Sequence, residues 1–159
     1  MTRKVKRTLI VVVAVVVLMF SSFLYCFGGF FIPTLNAASR DTFELIVSDI
    51  PQTMNVGDTI TVTARLRNKS LRFFHVGHGA APIEMIIYPK GEKIGFTLPL
   101  MHSIMLPLGS FTDEATYTFE ESGEYVVTIM TDIFLGNRKP IANDYAYTYP
   151  FDDVYIIVE

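Results

Sequence analysis

The chain has 159 residues, half of them hydrophobic, with one cysteine, no tryptophan and a formal net charge of −3. All sixteen acidic residues lie beyond position 40, against eight of the thirteen basic ones, and this formal −8 argues against nucleic acid as a partner of that region. A single cysteine excludes a disulfide framework, so a domain of roughly 120 residues has to be held by its core.

The chain opens with "MTRKVKR", in which Arg3, Lys4, Lys6 and Arg7 precede an uncharged run from Thr8 to Ser39. Its apolar part, Leu9 to Ile32, would reach ~36 Å as a helix, enough to cross a hydrocarbon core with some tilt. The expected organisation is a cytoplasmic basic tail at 1–7, a transmembrane signal-anchor at 8–33, a tether at 34–41 and a folded domain at 42–159. Basic residues before the span and none just after it place the amino terminus in the cytoplasm and the domain outside a cell membrane crossed once. A secretory signal peptide begins the same way, and "TLNAAS" offers cleavage at Ala37 or Ala38. Its apolar region would be only ~7 to 15 residues, however, so length favours the uncleaved anchor. Cys26 follows Tyr25, a residue too bulky for processing to a lipidated cysteine, and reads as an unmodified thiol. A disulfide-poor exported domain suggests a bacterial cell envelope.

From Asp41 onward the pattern has period two. "TFELIVSDI" sets Phe43, Leu45 and Val47 on one face. "DTITVTARLRN" sets Ile60, Val62, Ala64 and Leu66 opposite Thr61, Thr63, Arg65 and Arg67, the alternation of a half-buried antiparallel strand. Similar runs follow at "IEMIIYP", "ATYTFE", "EYVVTIMTDIF" and "DVYIIVE", with weaker ones at "EKIGFTL" and "HSIML". The turn signals "NVGD", "PKGE", "PLGS", "ESGE" and "FLGNRKP" separate them. About seven short strands without a helical stripe predict an all-β fold, an antiparallel β-sandwich behind one N-terminal transmembrane helix, with a barrel as the alternative.

"TYTFEESGEYVVTIMT" resembles the strand end, turn and strand start of immunoglobulin-like domains, and "NVGDTITVTARLRN" resembles strand B of bacterial immunoglobulin-like and CARDB-like modules. The resemblance runs from Phe43 to Glu159 and implies an immunoglobulin-like sandwich in which Tyr125 bonds its hydroxyl back to the upstream corner. Paired cysteines are missing, Val127 standing where the second would be. Small bacterial proteinase inhibitors share a sandwich of this type, which makes inhibition a second alternative function, although no reactive-loop motif stands in the chain.

No nucleophile–base motif, H-E-x-x-H, phosphate-binding glycine loop or C-x-x-C occurs, so no enzyme activity and no cofactor is expected. His75, His78 and His102, with Met101 and Met105, supply the donors that suit copper, which makes a copper-binding envelope protein the first alternative. In an extended strand His75 and His78 point to opposite faces, so both could ligate only if "HVGHG" bends. The competing reading makes "HVGHGAAP" a loop with His78 packed near a turn and the methionines as core filler. "NKS" at Asn68 fits a glycosylation acceptor pattern, which in a bacterial protein usually stays unmodified, and "RLRNKSLR" gathers half of the domain's positive charge.

"IGFTLPLMHSIMLPLGSF" has no charge, and Pro99 and Pro107 suit edge strands and connections. Leu98, Leu100, Ile104, Leu106 and Leu108 are therefore the candidate apolar contact patch, for self-association or for another envelope protein. The expected function is a membrane-anchored, extracytoplasmic binding or structural module.

Overall fold

The computed structural model describes residues 3–31, 40–92, 101–135, 146–148 and 151–159. The uncharged run forms helix α1, Arg3–Phe31, whose stretch Val5–Gly28 has a mean hydropathy of 2.8 and is long enough to cross a membrane. None of its most apolar window is covered by the rest of the molecule.

A single tight turn at Arg40–Thr42 leads into eleven strands among the described residues. These are β1 Phe43–Val47, β2 Thr53–Met54, β3 Thr59–Asn68, β4 Phe74–His78, β5 Glu84–Pro89, β6 Met101–Met105, β7 Ser110–Thr118, β8 Gly123–Met130, β9 Asp132–Leu135, β10 Ala146–Thr148 and β11 Val154–Val158. One sheet has the order β1-β3-β7. Alternation along β3 buries Ile60, Val62, Ala64 and Leu66 and turns Thr59, Thr61, Arg65 and Arg67 outward. On the outer face Thr59 and Thr118 share a hydroxyl hydrogen bond of 2.9 Å, and Thr61 and Thr116 one of 3.1 Å, cross-strand pairs that pin the β3–β7 register.

The second layer consists of two four-stranded ladders, β10-β9-β4-β6 and β2-β11-β8-β5. The chain passes from β8 to β9 through Thr131 and from β4 to β5 through residues 79–83, so the ladders are two halves of one bent layer. The buried Thr131 donates its hydroxyl to the Pro82 carbonyl at 2.8 Å and ties the two crossings together. The strands pair antiparallel throughout except for β2, which runs parallel to β11. Two layers with this strand order make an immunoglobulin-like β-sandwich. Its core is filled from both sides by Leu66, Phe74, Val127, Ile129, Ile133 and Ile156 among others, each worth about 1.5–3 kcal/mol of burial.

The local reading departs from this in three places. Residues His75–His78, part of the loop that the competing reading drew at "HVGHGAAP", belong to a strand beginning at Phe74, in which Phe74 and Val76 face the core, a signal that the neighbouring histidines and Gly77 had masked. "EYVVTIMTDIF" is two strands, broken where the layer bends at Thr131. Strands β2 and β10 are too short to show an alternation at all. The weak candidate "HSIML" lies in edge strand β6, and "EKIGFTL" lies outside the described residues beyond Glu92.

Candidate functional site

Edge strand β6 leaves the layer at Met105, whose side chain is buried, and enters the turn Leu106-Pro107-Leu108-Gly109. The Gly109 N–H donates to the Leu106 carbonyl at 3.0 Å, closing the turn. Pro107 presets its first corner, and Leu108 takes the second with φ 55°, a left-handed conformation normally left to glycine or asparagine. At position 109 a Cβ would stand 3.0 Å from the Leu106 carbonyl oxygen and 3.2 Å from the Leu106 Cβ, so a larger residue there would press on Leu106. Of the expected patch, Ile104, Leu106 and Leu108 stay 51%, 57% and 50% exposed, while Leu98 and Leu100 lie outside the described residues.

A fourth apolar side chain joins them that the sequence had not singled out. Leu71, 58% exposed, sits in the loop between β3 and β4, and that loop is bonded to the turn. The Leu108 N–H donates to the Ser70 carbonyl at 3.0 Å, and the Asn68 N–H to the Gly109 carbonyl at 2.9 Å. Asn68 itself is fully buried. Its amide nitrogen donates to the carbonyls of Arg72 (2.8 Å) and Leu106 (2.9 Å), and its oxygen accepts from the Ser70 N–H (2.9 Å) and hydroxyl (2.8 Å). The glycosylation pattern at "NKS" is therefore overturned as a surface feature, because the acceptor nitrogen is inside the fold and fully engaged.

The same loop meets the helix. The Phe73 N–H donates to the Cys26 carbonyl at 3.0 Å, the Phe73 and Phe27 rings stack with centroids 4.5 Å apart, and Phe27 stacks in turn on Phe23 at 5.0 Å. The Arg72 guanidinium lies 5.7 Å from the Tyr25 ring and 5.5 Å from that of Phe74, within cation–π range of both. Arg65, Arg67 and Lys69 are exposed nearby, and Arg65 donates to the Ser110 hydroxyl at 2.9 Å. Exposed leucines, basic side chains and the end of the apolar helix thus share one end of the sandwich.

The five possible copper donors do not meet at one point. His75 and His102 lie on the outer side of the β4–β6 pair with ring centroids 5.2 Å apart. His78 lies on the inner side, 4% exposed, with Nδ1 2.7 Å from the Gly79 carbonyl oxygen and Nε2 2.9 Å from the Ser103 hydroxyl. Met105 is buried in the core and Met101 is exposed opposite His78. Among the described residues no three His, Cys, Asp or Glu side chains gather as a metal site.

Tyr125, on β8, is buried against Tyr117 and Phe119, and its hydroxyl donates to the Glu121 carbonyl at 3.1 Å. This closes the corner between β7 and β8 and serves the fold. On the outer face Glu84 begins β5, where burial first and the nearby Asp132 second raise its carboxyl above the ordinary glutamate range. At the turn before β3, hydrogen bonds from the Asn55 backbone and side chain hold Asp58 below the ordinary aspartate range.

No protein-family model matches the chain, and no curated protein does. Among solved structures it is similar to a β-glucosidase from Listeria innocua in complex with glucose, at 15% identity over 73% of this chain and 16% of that one, TM-score 0.39. It is also similar to a chain of the complex between zinc 2-glycoprotein and prolactin inducible protein from human seminal plasma (13% identity, 72% and 93% covered, TM-score 0.40). The ASH/PapD-like domain 7 of human CEP192 matches at 11% identity over 74% of this chain and 85% of that domain, TM-score 0.39. The chain spans only about a sixth of the glucosidase it matches.

Proposed function

We propose that the protein is a single-pass membrane protein whose immunoglobulin-like domain works outside a bacterial membrane as a binding or structural module, without catalysis. The observation that carries this reading is helix α1. An apolar helix that belonged to the core would be covered by it, whereas Leu9, Val13 and Phe20 each keep half or more of their surface exposed. Lipid is the solvent such a surface fits. Arg3, Lys4, Lys6 and Arg7 before the span favour an amino terminus in the cytoplasm. Kinship with bacterial immunoglobulin-like and CARDB-like modules fits the strand B pattern at 55–68 and the Tyr125 corner.

The full-length protein should sediment with membranes and resist carbonate extraction. Val13→Asp should impair insertion, since a central charge costs ~2.5–3.5 kcal/mol on insertion scales. Recovery of a soluble mature form beginning near Ala38 would overturn the anchor.

A further inference from the structure

The loop that carries Leu71 touches the end of helix α1 and is bonded to the turn that carries Leu106 and Leu108. If Thr8, the first residue after the basic cluster, marks the inner border of the hydrocarbon, ~30 Å of core at 1.5 Å per residue ends about twenty residues later, near Gly28. Cys26 and Phe27 then sit just inside the outer border. Phe73 is hydrogen-bonded to Cys26 and stacked on Phe27, so the 68–73 loop is held at that depth by direct contact. The 106–109 turn is bonded to the same loop through Ser70 and Asn68 and lies within a few ångströms of it.

We infer that this end of the domain is seated in the lipid interface of an anionic membrane, with Leu71, Leu106 and Leu108 directed to the acyl boundary and Arg67 and Lys69 to lipid phosphates. The inference rests on the anchored reading above and adds a second, surface contact to it. Three observations bear on the occupant. The patch is continuous with the span, so whatever surrounds Phe27 also surrounds the loop. The charge is right: Arg65, Arg67, Lys69 and Arg72 outnumber Asp41 and Glu44 at this end of an otherwise acidic domain. The chemistry is layered, with aromatic Tyr25 and Phe73 and a partly buried arginine at the level where amphipathic side chains anchor. A domain so held cannot swing on its tether, and the opposite end, around Asn55–Asp58 and ~30 Å away along β3, is the one presented outward.

The chain has no tryptophan, so single tryptophans report depth without background. Four full-length variants, Phe20→Trp in the span, Leu71→Trp and Leu106→Trp on the rim, and Val56→Trp at the far end, would be reconstituted into phosphatidylglycerol/phosphatidylcholine vesicles carrying brominated acyl chains. The expected result is strong quenching of Phe20→Trp, loss of about half or more of the emission of both rim variants, and none for Val56→Trp. Lys69→Glu combined with Arg67→Glu should reduce the rim quenching and leave that of Phe20→Trp unchanged. If Phe20→Trp is quenched but neither rim variant is, the domain stands clear of the lipid and the inference fails while the anchor survives. Rim tryptophans shielded from both brominated lipid and aqueous iodide would mean that a protein covers the patch, which also overturns it. An unquenched Phe20→Trp would remove the anchored reading itself.

Discussion

The Asn68 amide donates to the carbonyl of Leu106, thirty-eight residues further on, at 2.9 Å, and with its other bonds it joins the end of β3, the loop that meets the helix and the turn that carries the exposed leucines. Four hydrogen bonds converge on one buried side chain. Asn68→Ala would strand two carbonyls and the Ser70 donors, and it should destabilise the fold by about 2–4 kcal/mol, with Asn68→Asp costing a similar amount because both donors are lost. Chemical denaturation of the detergent-solubilised protein measures this. A cost below about 0.5 kcal/mol, the level of an ordinary surface change, would refute the role given to Asn68.

Tyr125 and Val126 provide a second comparison. Tyr125→Phe removes the bond to Glu121 and should cost about 1 kcal/mol. From alternation alone, Val126 faces solvent and should tolerate polar replacement. In the fold its side chain does point outward, but it is only 5% exposed, and its strand partners on either side are Tyr88 and Tyr155. Val126→Thr should therefore cost at least as much as Tyr125→Phe, since it puts a hydroxyl under that cover. Equal denaturant midpoints for Val126→Thr and the unaltered protein would show that the outer face is open.

Strand β3 was legible because its period-two pattern is complete, from Ile60 to Leu66 on one face and Thr61 to Arg67 on the other, and because the fold buries the first set and leaves the second exposed or, at Thr63, half-buried. Strand β4 was not, since a histidine and a glycine occupy its outer positions and supply no contrast of polarity. The site divides in the same way. Leu106 and Leu108 were visible as uncharged residues beside a proline. Leu71 was hidden within a basic run, where it stands outside the alternation that places the other leucine of that run, Leu66, in the core. The role of Asn68 was not legible, because a sequence pattern for a surface acceptor says nothing about carbonyls brought in from distant residues.

Leu108 holds a left-handed backbone with an exposed side chain, and this sets the sign of a third prediction. Asparagine occupies that conformation more readily than leucine, so Leu108→Asn should leave stability unchanged or raise it by up to about 1 kcal/mol, whereas Leu108→Val, β-branched, should lower it. Thermal unfolding of the two variants beside the unaltered chain decides the matter. A more stable valine variant would contradict the strained turn.

Two carboxyls give opposite dependences on pH. Glu84 is raised by burial and by Asp132, so the folded state holds its proton where the unfolded chain has released it. Its contribution therefore falls as pH rises from the ordinary glutamate range through the raised value. Glu84→Gln should match the unaltered protein in acid and exceed it in melting temperature near neutrality. Asp58 is lowered by its Asn55 bonds, so its contribution is present above the ordinary aspartate range and is lost as pH falls through the depressed value. Asp58→Asn should be the less stable at neutral pH and should lose that deficit in acid. Parallel melting curves across the range for either variant would dismiss the corresponding shift.

The histidines divide by face, and their substitutions should divide likewise. His78 is enclosed with both ring nitrogens at hydrogen-bonding distance, to Gly79 and Ser103, so His78→Ala should cost about 2 kcal/mol or more through its stranded partners and the space left behind. His75→Asn together with His102→Asn, on the outer side of an edge pair, should leave folding nearly intact. Copper titration of the full chain in detergent should find no stoichiometric site, because two imidazoles on one face and one imidazole with a buried thioether on the other cannot surround the same ion. Tight uptake that disappears with His102→Ala and persists with His78→Asn would make the outer pair a metal site in its own right. Uptake lost with both variants would require β4 and β6 to rearrange on binding, and circular dichroism recorded before and after copper addition would reveal that rearrangement.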